Sequence, residues 1–179
     1  MLALVPDEAA RAQIDLVRAL YDRQRVDDTP PHVPLTNGLD AHYPLDDLQQ
    51  MLEIILGVFR PFMMELGDAV SWYDDGEHLL QVVALQGGED AQRIAGAVYR
   101  DLFPEQTPQP PLRSRSPLER TTLTLGRFGR EREAADAVTA LGGQRYFLVV
   151  THAGIFDQED GGGWRLRRAL PIGGMVADV

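Results

Sequence analysis

Residues 29–35 read TPPHVPL, and residues 121–128 read TTLTLGRF. Both are short, strand-like frames of alternating apolar residues, and about ninety positions separate them. The first carries a histidine, His32, flanked by Pro31 and followed two residues later by Pro34. The second carries hydroxyls at Thr122 and Thr124 and no histidine. In a strand, residues i and i+2 face the same side, so each frame presents a pair of chosen side chains to one surface.

Working outward, the chain alternates strand and helix signals. MLALVP is a short apolar strand ended by proline, and Pro6-Asp7-Glu8 opens a helix with Ala10, Ile14, Val17 and Tyr21 at helical spacing. Residues 27–31, DDTPP, close it, because the prolines cannot continue a helix. HVPLTNGL is a second short strand running into an Asn37-Gly38 turn. Residues 45–59 form the clearest helix, with Leu45, Leu48, Leu52, Ile55 and Phe59 in one stripe and Asp46-Asp47 at the end that the macrodipole favours. Residues 62–85 read as two strands around an Asp74-Asp75-Gly76 turn, and a helix with Ile94, Val98 and Leu102 on one face follows. A proline- and arginine-rich loop leads to the TTLTLGRF strand. REREAADAVTAL is then a helix closed by Gly142-Gly143. QRYFLVVTHAGIF and WRLRRALPI are two closing strands around the DQEDGGG turn. The expected order is β-α-β-α-β-β-α-β-α-β-β, an α+β chain built from two pseudo-repeated lobes.

Composition bounds the function. The chain has 179 residues, enough to bury a core without staples. It has no cysteine, which excludes disulfides, thiolate metal sites and cysteine nucleophiles. Its net charge is −10, which argues against a large, sequence-independent nucleic-acid surface but leaves room for a small positive cleft. All 17 basic residues are arginine, so any charged side chain that grips a phosphate does so through a planar fork of donors. No segment is apolar enough to span a membrane, and the N-terminus lacks a signal-peptide pattern. A cytoplasmic monomer is the expectation. No glycine-rich phosphate loop is present, since GGED and GGG sit in turn contexts without the lysine such a loop needs.

The two frames, the opening strand with Pro6-Asp7-Glu8, the helix before the second frame and the closing LPIGG together resemble the 2′-5′ RNA ligase family of two-histidine phosphoesterases. That family carries one His-x-Thr/Ser-x segment per lobe. The resemblance covers almost the whole chain and implies one two-lobed domain over residues 1–179. It implies a bilobal, pseudo-two-fold α+β fold with a cleft between the motif strands, and no metal or other cofactor. It also implies action on 2′,3′-cyclic or 2′-5′ phosphodiester ends of RNA or small nucleotides. In such a cleft one imidazole takes a proton from the attacking oxygen, the other gives one to the leaving oxygen, and the hydroxyls stabilise the phosphoryl oxygens.

This chain departs from the pattern twice. His32 is kept, but Pro34 stands where the first hydroxyl belongs. Thr124 is kept, but Thr122 stands where the second histidine belongs. The resemblance therefore assigns His32 and Thr124 to catalysis, and Thr122, Thr36 and Arg127 to binding, with Thr36 one pleat further along as a partial stand-in for the missing hydroxyl. Arg113, Arg115 and Arg120 are candidates for a positive lip; as a solvated surface loop they would carry no function. His42, His78 and His152 are the remaining imidazoles, and their spacings are not those of metal ligands. Three readings stay open: a phosphodiesterase or ligase working with one motif histidine, a nucleotide- or RNA-end-binding module using the same cleft, and a structural protein that keeps only the fold.

Overall fold

The computed structural model describes residues 1–23, 25–36, 43–103, 121–159 and 163–174. Among them the elements run β1 (Leu2–Val5), α1 (Glu8–Tyr21), β2 (Val33–Pro34), α2 (Leu45–Gly57), β3 (Phe62–Asp74), β4 (Glu77–Gln86), α3 (Gly88–Leu102), β5 (Thr122–Phe128), α4 (Glu131–Ala140), β6 (Tyr146–Val150), β7 (His152–Gln158) and β8 (Trp164–Pro171). The strands form two four-stranded sheets, ordered β2-β1-β7-β8 and β5-β4-β3-β6, and every pairing is antiparallel. The expected α+β architecture is present. Its two motif strands, β2 and β5, are each an edge strand of their sheet and lie against one another. Among the described residues no helix is long and apolar enough to cross a membrane.

Local chemistry explains the elements. Asp7 caps α1, accepting from the N–H groups of Ala9 and Ala10 at 3.1 Å each. Its second oxygen accepts from Val149 N at 2.7 Å, which pins the start of α1 onto β6. Burial alone would raise the Asp7 carboxyl, but these N–H donors outweigh it and hold the group below its ordinary value. Asp75 and Gly76, at φ 45° and 86°, make the tight turn between β3 and β4, and successive positive φ values match the twist of a hairpin.

Two expectations change. The closing QRYFLVVTHAGIF segment is two strands in different sheets, because the chain crosses over at Thr151. Tyr146, Leu148 and Val150 face inward and Phe147 and Val149 outward; after Thr151 the exposed residue is His152, and Ala153 and Ile155 are buried. The inward phase slips by one residue at the crossover, and such a slip moves every later side chain to the other face. The Thr151 carbonyl accepts from Ile172 N at 2.9 Å, tying the crossover to the end of β8. The second strand is also shorter than HVPLTNGL suggests. Regular pairing stops at Pro34, which has no N–H to continue a ladder. The Asn37-Gly38 turn and His42 lie outside the described residues.

One apolar core joins the two sheets. Leu2, Leu4, Ile14, Leu52, Leu56, Met64, Leu80, Ile94, Leu123 and Leu125 are fully buried in it, and Ala137 adds α4. On β5, Leu123 and Leu125 alternate with Thr122 and Thr124, so the apolar face fixes which way the threonines point. Truncating such a leucine to alanine costs about 2–5 kcal/mol, which makes this face the register lock of the strand.

Candidate functional site

Where β2 meets the end of α1 and β5, a cleft of about 160 Å³ opens. Met1, Arg18, Asp22, Arg25, Thr29, Pro30, Pro31, His32, Pro34, Thr124, Arg127 and Trp164 line it. The structure thus brings His32, Thr124 and Arg127 into one cavity, although 92 residues separate the first two in the chain.

His32 is held from two sides. Its Nδ1 lies 2.9 Å from the Pro30 carbonyl oxygen, and its ring lies 5.0 Å from that of Phe156. A carbonyl only accepts, so Nδ1 is the protonated nitrogen and donates to it. In the neutral ring Nε2 is then the free acceptor. Burial lowers the pKa of His32 from 6.5 to about 4. The bond to Pro30 works against that shift, while the positive charges of Arg18, Arg127 and the N-terminal amine add to it. The ring is therefore neutral near pH 7 and available to take a proton.

Thr124 is held by a different device. Trp72 Nε1 donates to Gln81 Oε1 at 2.7 Å, and Gln81 Nε2 donates to Thr124 Oγ1 at 3.1 Å. The indole can only donate, which fixes the orientation of the Gln81 amide. Because Thr124 Oγ1 accepts from that amide, its own hydrogen remains to be donated to something else. Gln81 is 6% exposed and pairs directly with Thr124 across β4 and β5. The hydroxyl thus stands as an oriented donor at the cleft.

The charge at the cleft comes from α1 and β5. Arg18 is 3% exposed, with Nη1 donating to Asp15 at 3.1 Å and Nη2 to the Arg25 carbonyl at 3.4 Å. Arg127 Nη1 reaches Glu77 at 3.3 Å. Three guanidinium groups, Arg18, Arg25 and Arg127, face one carboxylate, Asp22, so a strongly acidic protein has a locally positive cavity. Gly126 makes this possible. A Cβ there would come within 2.7 Å of Tyr21 Cβ and 2.8 Å of its carbonyl oxygen, so only glycine lets the end of α1 close onto β5.

Thr122 and Thr36 sit elsewhere. Thr122 is 5% exposed and does not line the cleft. Thr36, expected beside His32, is 1% exposed, and its hydroxyl accepts from Leu2 N at 3.0 Å. The chain leaves the strand after Pro34, so the alternation that would have aimed Thr36 at the cleft does not reach it. His78 packs on Tyr73 in the β3–β4 hairpin, and His152 is an exposed residue beside the Thr151 hydroxyl. Neither lines the cleft. Arg113, Arg115 and Arg120 lie outside the described residues. Sequence reasoning missed Arg18, Asp22, Gln81 and Trp164. For the first two a signal existed, since positions 10, 14, 18 and 22 lie four apart on one helix face.

A family model for the 2′-5′ RNA ligase superfamily matches residues 5–162. Among solved structures, TT0787 of Thermus thermophilus superposes with a TM-score of 0.60 at 15% identity, covering 97% of each chain. LigT of E. coli, solved in complex with NADP+, superposes with a TM-score of 0.58 at 16% identity, covering 96% of each chain. Usb1 of Kluyveromyces marxianus gives a TM-score of 0.50 at 12% identity over 95% of this chain and 96% of that one. At these identities the likeness concerns the fold. No curated protein matches the chain significantly.

Proposed function

The chain belongs to the 2′-5′ RNA ligase superfamily, and on that premise we propose that it acts on 2′,3′-cyclic or 2′-5′ phosphodiester ends of RNA or small nucleotides. The observation that carries this reading is the pairing of His32 and Thr124 in one cavity, each with its reacting atom left free by its own supports. His32 Nε2 takes the proton of the attacking oxygen. The Thr124 hydroxyl donates to a phosphoryl oxygen and stabilises the charge that builds there. Arg127 and Arg18 draw the phosphate in and offset its charge. Thr36 enters as a support of β1, its hydroxyl accepting from Leu2 N, and Thr122 lies buried off the cleft. The neighbour solved with NADP+ agrees with a cleft that takes a nucleotide.

One observation favours a second reading, in which the same cleft binds a nucleotide or RNA end without turning it over. Thr122 stands at the second histidine position, and a hydroxyl does not titrate near neutral pH.

Hydrolysis of 2′,3′-cyclic nucleotides and of a short RNA ending in a 2′,3′-cyclic phosphate separates the two, with His32→Gln beside the native protein. The catalytic reading expects turnover that falls about 10³-fold in His32→Gln, within the range for a positioned base. Binding of a nucleoside monophosphate by calorimetry, with no turnover of any of these substrates, would leave the second reading.

A further inference from the structure

The proposed reaction leaves one proton unassigned. His32, having taken the proton of the nucleophile, has none for the oxygen that leaves phosphorus, and the strand position of a second imidazole holds Thr122. Asp22 is the one carboxyl among the described residues that line the cleft. It caps the C-terminus of α1, in line with Ala10, Ile14 and Arg18, and the close approach of Tyr21 to Gly126 brings that helix end against β5. Three arginines line the same cavity, yet Arg18 turns to Asp15 and Arg127 to Glu77, and among the described residues no hydrogen bond or ion pair closes on the Asp22 carboxylate. We propose that Asp22 is the second proton carrier of this site and delivers a proton to the leaving oxygen. This rests on the phosphodiester reading above.

The electrostatics agree with that role. Burial raises the Asp22 carboxyl above its ordinary value. Arg18 on α1, Arg127 on β5 and Arg25 in the following loop oppose the shift, and Glu77 on β4 adds to it. His32, from β2's side of the cleft, is neutral near pH 7 and adds no charge. An incoming phosphodiester anion adds a like charge and pushes the carboxyl further toward its protonated form. The step balances for a cyclic phosphate. Water attacks phosphorus, its proton passes to His32 Nε2, and a new P–O bond forms. The P–O bond to one ribose oxygen breaks, and the proton of Asp22 passes to that oxygen as a free hydroxyl. Exchange with solvent then returns His32 to neutral and Asp22 to its acid form.

The test compares native protein and Asp22→Asn on two substrates. One is a 2′,3′-cyclic nucleotide, whose leaving ribose oxygen needs a proton. The other is a nucleoside p-nitrophenyl phosphodiester, whose leaving phenolate does not. The loss in Asp22→Asn should be about 10²-fold on the cyclic substrate. On the nitrophenyl ester it should be at least about tenfold smaller, as expected when the acid acts only on the leaving group. The native rate on the cyclic substrate should fall at high pH as the carboxyl ionises, and Asp22→Asn should lack that limb. Equal losses on both substrates, or a high-pH limb that persists in Asp22→Asn, overturn the inference and leave the reading of the site intact. A native protein that turns over neither substrate overturns both. Calorimetry with a nucleoside monophosphate keeps a misfolded variant from passing as a catalytic defect.

Discussion

The two motif strands differ in what each has kept, and their supports follow the same division. At β2 the imidazole remains, on His32 just ahead of the strand, and the hydroxyl is gone. The retained supports are those of an imidazole: the Pro30 carbonyl on Nδ1 and the Phe156 ring, tilted against it with centroids 5.0 Å apart. On β5 the hydroxyl remains and the imidazole is gone. The retained supports are those of a hydroxyl: the Gln81 amide, itself oriented by Trp72. Each strand contributes one half of a pair to one cavity. Gln81 is buried, and its bonds to Trp72 and Thr124 satisfy an amide that would otherwise cost stability.

The comparison is sharpened first through pH. Burial holds His32 neutral in the folded chain down to about pH 4, while the unfolded chain protonates it near 6.5. Between those values the unfolded state binds more protons, so stability falls as pH drops. The difference of about 2.5 pH units corresponds to up to about 3 kcal/mol. Urea titrations at pH 7 and pH 4 should show this loss in the native protein and a smaller one in His32→Gln. The second test acts on β5. In Gln81→Glu both carboxylate oxygens only accept, so Thr124 gives its hydrogen to residue 81 and not to the cleft. Turnover should fall about 10²-fold, the usual cost of one lost donor to a developing charge. Trp72 keeps its acceptor, so indole fluorescence should stay native-like. An unchanged rate would separate Thr124 from the chemistry.

The smallest effect concerns Asp22. A folded-state carboxyl raised above its ordinary value stabilises the fold only below the unfolded value, and that contribution is lost as pH rises through the folded one. Asp22→Asn never carries the charge, so it should melt at a slightly higher temperature than the native protein at pH 7. The gap should close as pH falls into the carboxylate range. Stability gained where activity is lost is a common sign of a residue kept for function.

Much of the fold could be read from the chain, because most elements announce themselves locally. The leucine stripe of α2, the Asp75-Gly76 turn and the β-branched TTLTL strand each need only near neighbours. The crossover at Thr151 did not show, since both halves of that segment carry strand composition and only their different partners divide them. The site was half legible. His32, Thr124 and Arg127 follow from the family resemblance that the two frames carry. Gln81 is the one polar residue in the run 79–85, and its bond to Thr124 depends on pairing across to β5. Arg18 lay in plain view on the buried face of α1, but an arginine there reads as solvent-facing until the helix end is seen to close onto Gly126. Thr36 misled because strand alternation was carried past a proline that ends the pairing.

A double-mutant cycle on His32 and Thr124 tests the central claim, that the two halves serve one reaction. The rate constant kcat/KM for a 2′,3′-cyclic nucleotide is measured for the native protein, His32→Gln, Thr124→Val and the double variant. A base and a donor to the phosphoryl oxygens act on different atoms, so the donor keeps its effect when the base is gone. The account predicts that Thr124→Val loses about 10²-fold both in the native background and in His32→Gln. A Thr124→Val that loses nothing in either background would contradict it and leave His32 alone in the reaction.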